Sequence, residues 1–507
     1  MEAQMRVKAS LLSFIAGITL LQSTVYAQVQ PDIQHSSAKA VQYVSEKYMA
    51  KGVTALDDWM IIGLALHEMD VENGSLGTKK IWDEELKKRL HALDARKTTD
   101  YARFILTLVA AGKDSSSFAG ENLIEKLKKA QLLNGKFADS INGQGENLIN
   151  AHVWSIIALH AAGEQIPRAK QAKSWLVGKQ LTDGGFHFDA AAKQSGVDMT
   201  AMSLLAMRAL GMNKDESPVK KALAYLQKTQ NSSGGYQEGG AFNAESAATV
   251  ISALIAWGDQ PASWKQGKTS VVDSLLSFQK TDGSFAHTKG GFANQIATSQ
   301  ALLALSDLRR HQSYISVLRE KAGTRKVLAL QDFHSHYWAY QEMADLVKNG
   351  YLQGVTAHQM KPDQQVTRAQ FAAMLLRAVG EEPNQKTQGL FHDVPASDWS
   401  SKVVEKAASL GLMQGSKKQF RPHQGITHEE MATISSRVAK RYGWKKVYAA
   451  SFTPVNYKLV SPWAKVSVID MQNRKLIGGT RATSFEPKAT VTRAEAAVLI
   501  YRLLRIR

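Results

Sequence analysis

Acidic, aromatic and amide side chains gather at the heads of several apolar stretches of this 507-residue chain. Asp57-Asp58 precedes Trp59, Asp100 precedes Tyr101, and Asn150, His152 and Trp154 share one short stretch. Asp198, Glu245 and the pair Asn294-Gln295 head three more. Groups of these types could stack on and hydrogen-bond to a ligand, or move protons. His152 could serve as an acid or a base. Asp57-Asp58 reads as an acid pair or as a helix N-cap, a role that Asp favours. No nucleophile–base pair and no metal-ligand spacing is visible, so no metal or cofactor is expected. The chain has no cysteine, which excludes thiol nucleophiles and Cys-ligated zinc.

The elements that must position these residues repeat. Gln131, Gln180, Gln230 and Gln279 stand 49, 50 and 49 residues apart, and each opens the phrase Gln-x-x-x-Gly-x-aromatic. The phrases close on Gly135 and Phe137, Gly184 and Phe186, Gly234 and Tyr236, and Gly283 and Phe285. Each follows a helical stretch and leads through a loop into a small-residue-rich apolar helix, as at 200–210, 246–257 and 297–305. The unit is helix, glycine turn, helix: the glycine supplies backbone freedom and the aromatic fills the gap between hairpins. Two further hairpins fit upstream, entering helices at 60–69 and 102–111. About six such hairpins can close into a ring.

The phrase resembles the QW repeat of squalene–hopene cyclases and of the prenyltransferase β-subunit, over about residues 38–310. The resemblance implies an α/α toroid and leaves function open. Class II cyclases protonate an alkene with Asp-x-Asp-Asp. Here Ala55-Leu56-Asp57-Asp58 lacks the first carboxylate, and the zinc cysteine of protein prenyltransferases has no counterpart. The loops before the inner helices would line one mouth of the ring. That makes Trp59, Asp100, Tyr101, His152, Trp154, Asp198, Glu245 and Asn294, with Asn150 and Gln295, candidate pocket residues. The other reading is that the acids cap helices and the aromatics pack between hairpins.

A different repeat fills the C-terminal third. Trp338, Trp399 and Trp463 are each followed sixteen residues on by a glycine: Gly354, Gly415 and Gly479. Then come Pro362, Pro422 and Pro487, and five residues later Thr367, Thr427 and Thr492. Each threonine is a good N-cap for an apolar-faced helix, and Thr492 with Glu495 has capping-box spacing. Glu430 follows Thr427 at the same distance, and Gln370 follows Thr367.

This pattern resembles the S-layer homology family over about residues 328–507. The phrases that carry it include Trp338-Ala339, Thr367-Arg368-Ala369-Gln370, Phe391-His392-Asp393, Thr427-His428-Glu429-Glu430, Trp463-Ala464 and Thr492-Arg493-Ala494-Glu495. The resemblance implies three copies packed as a pseudo-threefold bundle that binds secondary cell wall polysaccharide, an acidic polymer often carrying pyruvate ketals. It implies that Arg368 and Arg493 meet the acidic sugar, since a guanidinium matches a carboxylate bidentately beside a helix N-terminus. His428 replaces the arginine in the second copy, so that groove should be weaker or pH-dependent. The tryptophans are either core or groove residues, and the three glycines belong to the same candidate binding set.

Charge and the chain start fit this assignment. From Arg325 onward 27 Lys and Arg face 14 Asp and Glu, which is most of the net charge of +18. A basic region suits an anionic partner. Arg6 and Lys8, the apolar run 11–21 and Val25-Tyr26-Ala27 read as a secretory signal peptide, too short to span a bilayer. Export argues against a nucleic-acid partner, and no integral membrane segment is expected after cleavage.

The expected layout is all-α: signal peptide 1–27, α/α toroid 38–310, a link 311–327, and repeats at 328–382, 388–443 and 451–507. The chain reads as a cell-surface protein anchored non-covalently, displaying a ring that binds a ligand or scaffolds. The alternative is a surface-anchored enzyme acting on polysaccharide or lipid through the ring's pocket.

Overall fold

The computed structural model describes residues 32–47, 53–69, 79–383, 386–448, 455–477 and 485–507. The expected signal peptide and Gly479 lie outside these residues. Apart from two pairs of two-residue strands, regular structure among the described residues is helical, as expected. The chain divides into two compact units. One takes the chain through Ala162 and then Ala169–Lys321, and the other takes Gly163–Arg168 and Ala322–Arg507.

In the first unit, outer and inner helices alternate. In chain order they are α1 (32–47), α2 (Asp58–Leu66), α3 (Lys79–His91), α4 (Thr98–Ala110), α5 (Leu123–Lys129) and α6 (Ile149–Ala161). Then follow α7 (Ala169–Val177), α8 (Val197–Ala209), α9 (Ser217–Thr229), α10 (Ala244–Ala256), α11 (Val271–Leu276) and α12 (Gln295–Arg310). The even-numbered helices pack each against the next, and α12 returns to α2, so six inner helices close a ring.

The glycine phrase explains how neighbouring hairpins register. Gly135, Gly184, Gly234 and Gly283 all have positive φ, between 77 and 93°. An added Cβ on any of them would land on backbone of the next outer helix or its entry: Ala172, Lys221, Ser270 and Lys39 respectively. Only glycine meets both demands. Each glutamine Nε2 donates to its own glycine carbonyl, at 2.8–3.2 Å. Gln279 Nε2 also donates to Ser36 O at 2.8 Å, which ties the last hairpin to the first. Phe137, Phe186, Tyr236 and Phe285 are wholly buried.

Helix α13 (Tyr314–Leu328) occupies most of the segment read as a link. In the second unit α14 (Tyr340–Lys348) and α15 (Arg368–Val379) form the first copy. Helices α16 (Ser401–Ser409) and α17 (His428–Arg441) form the second, and α18 (Lys465–Asn473) and α19 (Arg493–Arg505) the third. Capping boxes form at Thr367/Gln370, Thr427/Glu430 and Thr492/Glu495. The first helix of each copy packs on the second helix of another: α14 on α19, α16 on α15, α18 on α17.

At the axis three backbone bonds run in a circle. Val366 N donates to Val491 O, Val491 N to Ile426 O, and Ile426 N to Val366 O, each at 2.9 Å. These residues are buried, so every polar backbone group there is answered by another copy.

Candidate functional site

Exposure is graded along the inner helices of the ring. On α4, α6 and α8 half-exposed side chains recur two and six positions after the N-cap, on α12 the first of these is exposed and the second half-exposed, and on α10 and α2 the first is half-exposed. These two positions lie one turn apart on one helix face. The upper layer is Trp59, Thr99, Asn150, Asp198, Glu245 and Ile296. Below it lie Arg103, Trp154, Met202, Thr249 and Gln300, with Gly63 at the α2 position. Three positions further, Leu66, Leu106, Ile157, Leu205, Ser252 and Leu303 are buried and close the floor. The lumen therefore reads as a funnel, mainly polar and aromatic above and, apart from Ser252, aliphatic at its base.

Several candidate residues meet in this funnel. Trp59 and Trp154 meet as tilted rings, 51° apart at a centroid distance of 5.0 Å, although α2 and α6 are not neighbours in the ring, so the pair reaches across in front of α4. Asp198 Oδ1 and Ser246 Oγ are both buried without a partner among the described residues. Burial raises the Asp198 pKa to about 6, and the charges of Glu238 and Glu245 add to that rise. Glu245 faces His287 Nδ1 at 2.9 Å, and Glu238 Oε2 accepts from Val197 N at 2.6 Å. Asn150 Oδ1 is likewise buried and without a partner among the described residues.

Other candidates prove structural. His152 is wholly buried, accepts from Phe137 N at 3.1 Å and donates to Ala172 O at 3.1 Å. It stands four residues after its cap, where Thr200 and Thr298 accept from Phe186 N and Phe285 N in the same way. It therefore anchors the aromatic of its phrase, and burial pushes its pKa down to about 3, which removes it as a proton carrier. Tyr101 occupies the same off-lumen position on α4. Asn294 is the N-cap of α12, accepting from Ala297 N at 2.9 Å. Asp57 caps α2 through Met60 N at 2.8 Å, and Asp58 is held by Arg89 and Arg103 at 2.9 Å each. Asp100 accepts from Arg103 at 3.2 Å. Neither aspartate of the pair is left as an acid aimed at a substrate.

In the second unit the copies meet in three related grooves. The first is lined by Arg368, Gln414, Glu430, Arg437 and Trp463. The second, a cavity of about 310 Å³, is lined by His428, Leu476, Glu495, Arg502 and Trp338. By repeat spacing Arg493, Gln353, Gln370, Arg377 and Trp399 hold the equivalent positions of the third, where Arg493 Nη2 donates to Gln353 O and feels the charge of Arg377. Trp338, Trp399 and Trp463 are 54–58% exposed, so all three are surface residues rather than core.

The three positively charged positions differ in their partners. Arg368 is nearly buried and fully engaged: Nε donates to Phe420 O at 3.0 Å, Nη2 to Gln414 O at 3.0 Å, and Nη1 to Glu430 at 2.6 Å. Its guanidinium also lies 5.0 Å over the Phe420 ring. His428 bonds Ala489 O at 3.2 Å and faces Glu495 at 3.4 Å. Burial opposes the ionisation of Glu495, but its hydrogen bonds from His428 and Thr492 and the nearby imidazole charge outweigh burial and hold its pKa at about 2.

Arg493 has Gln370 where the other grooves have Glu430 or Glu495. Its Nη2 donates to Gln353 O, and its Nε is buried without a partner among the described residues. Burial, and then the charge of Arg377, lower its pKa to about 10. Two guanidinium groups thus share the third groove with no carboxylate in the matching position.

Gly354 and Gly415 do not line a groove. A Cβ there would collide with carbonyls of their own tight turns, at Thr356 and Gln359 and at Gln419. They shape the turns that present the Gln353 and Gln414 carbonyls to the arginines. Arg377, Arg437 and Arg502 are functional candidates that the sequence analysis missed although the signal was there: each stands ten residues after its capping threonine. Arg437 and Arg502 donate to Leu412 O and Leu476 O, both at 3.2 Å, and burial lowers the pKa of all three.

Comparison with known proteins agrees with both regions. The S-layer homology domain matches at 331–372, 390–432 and 458–497. The prenyltransferase alpha-alpha toroid domain matches at 77–237. An exoglucanase of Acetivibrio thermocellus is 35% identical over 170 residues, 33% of this chain and 15% of its own. A cellulosome-anchoring protein of the same species is 25% identical over 159 residues, 30% of this chain and 35% of its own. This chain therefore spans well under half of either relative. A solved type II terpene cyclase from Scytonema overlays 56% of this chain and 99% of its own at 14% identity, with a TM-score of 0.40. Among the described residues no helix is long and apolar enough to cross a membrane. The chain carries three S-layer homology repeats behind a prenyltransferase-type α/α toroid.

Proposed function

We propose that this is an exported protein held without a covalent link on the bacterial cell wall by its three C-terminal repeats, where it displays the toroid as a ligand-binding module. The proposed layout keeps the signal peptide at 1–27, the toroid at 38–310, and the repeats at 328–382, 388–443 and 451–507. The observation that carries the anchoring role is the third groove. Arg493 is held at a capped helix start under the charge of Arg377, with Gln370 where the other copies have Glu430 and Glu495, and Trp399 is exposed. An acidic sugar, including a pyruvylated one, would relieve that repulsion and stack on the tryptophan. The grooves should therefore act unequally. Arg493 and Arg377 bind the acidic group, while Arg368 mainly joins its own copy to the next through Glu430. Full-length protein should pellet with purified walls and stay in solution with walls stripped of secondary polysaccharide. Equal pelleting with both would end the proposal.

A further inference from the structure

The repeat frame of the toroid is constant, but its lumen is not, and the variation is chemical. One side of the funnel is aromatic, with Trp59 and Trp154 in contact in front of α4. The other side, at α8 and α10, sets Asp198, Glu238 and Glu245 against His287. Between them Asn150 holds a buried carbonyl oxygen with no partner among the described residues, as does the Asp198 carboxyl. Arg103 sits deeper, but Asp58 and Asp100 already hold its charge. A floor that is aliphatic apart from Ser252 ends the funnel below. A hydrocarbon guest would leave those acceptors and acids unanswered, and that is costly when they are desolvated. An acidic guest would meet three carboxylates. What fits is a rigid ring-shaped body with hydroxyls, an apolar face for the tryptophans, and a positive charge for the α8–α10 side.

We infer that the funnel binds an amino sugar with a free, protonated amine, as in a de-N-acetylated glycan chain end. The ammonium is placed against Asp198 and Glu245, the sugar face lies on Trp59 and Trp154, and Asn150 takes a hydroxyl. This rests on reading the toroid as a ligand-binding module and is independent of how the C-terminal repeats hold the wall. Ammonium binding requires ionised Asp198, so affinity should rise with pH through about 6, and Glu238, Glu245 and His287 are the charged groups that face it.

The test is calorimetry and tryptophan fluorescence of the full chain with a glucosamine oligosaccharide, its N-acetylated counterpart and a lysine-rich peptide. The glucosamine oligomer should bind and perturb the fluorescence. The N-acetylated oligomer should bind at least about tenfold more weakly, the size of one charge-assisted contact. Asp198→Asn and Glu245→Gln should each reduce glucosamine affinity by a similar factor while leaving wall pelleting unchanged, which separates this inference from the anchoring proposal. Equal binding of the two oligosaccharides, tighter binding of the peptide, or full affinity in both folded variants would overturn it.

Discussion

The toroid and the C-terminal bundle are both built from repeats, yet they repeat different things. In the toroid the constant residues are structural: a glutamine, a glycine pressed against the next helix, and a buried aromatic. The lumen positions are free to differ, and they run from Trp59 to Asp198 to Ile296. In the bundle both the frame and the groove residues recur. Tryptophan, the position after the capping threonine, and the arginine ten residues beyond that threonine return in each copy, with His428 and Gln370 as departures. A ring that keeps only its frame can shape one site from six different contributions. A bundle that repeats its grooves offers related sites to a repeating polymer.

The sharpest way to break this comparison is at a frame glycine. Gly184→Val should cost the toroid about 3–5 kcal/mol, because it adds a left-handed β-branched residue to a backbone collision. Urea unfolding should show an early toroid transition and an unchanged one for the bundle, and a single common shift would argue against independent frames. Next in size, Arg368→Ala should lower bundle stability by about 3 kcal/mol, since it strands Glu430 and two carbonyls in a largely buried setting.

Arg493→Ala should do the reverse. Its effect on unfolding should be small and its effect on wall binding about 1.5–3 kcal/mol, the range for a hydrogen bond to a charged group. If the two arginine variants behave alike in both assays, the inequality of the grooves is wrong.

The effect that is smallest per step is a pH slope. Burial raises the Asp307 pKa well above 3.8, so the folded toroid holds a proton that the unfolded chain releases. Stability should thus be greatest below about pH 4 for this group and decline as pH rises towards the folded-state value, by about 1.4 kcal/mol per unit. Asp307→Asn should flatten that decline in thermal unfolding between pH 4 and 7.

Much of this was legible in the chain because steric demands recur. Gly184 and Gly283 solve the same collision, and Thr367, Thr427 and Thr492 cap the same helix start, so period alone reveals them. Groove and lumen roles depended on partners far away in sequence. Arg368 is absorbed by Glu430 across copies, which no local pattern announces. His152 looked like a proton carrier at a helix head, but it replaces a threonine in the frame, which becomes visible only beside Thr200 and Thr298. Trp59 and Trp154 sit on non-adjacent helices, and only ring closure brings them together.

The circle of bonds among Val366, Ile426 and Val491 has a consequence for how such anchors change over time. Each copy's backbone is completed by the other two, so copies cannot be lost singly as beads are from a string. A chain reduced to two would expose an unpaired amide and carbonyl at a buried axis, and would have to recruit the missing third from another molecule. Inheritance of the module is therefore all or none, with its valency fixed by main-chain closure. Individual grooves inside that fixed number can still differ, as His428 and Gln370 do.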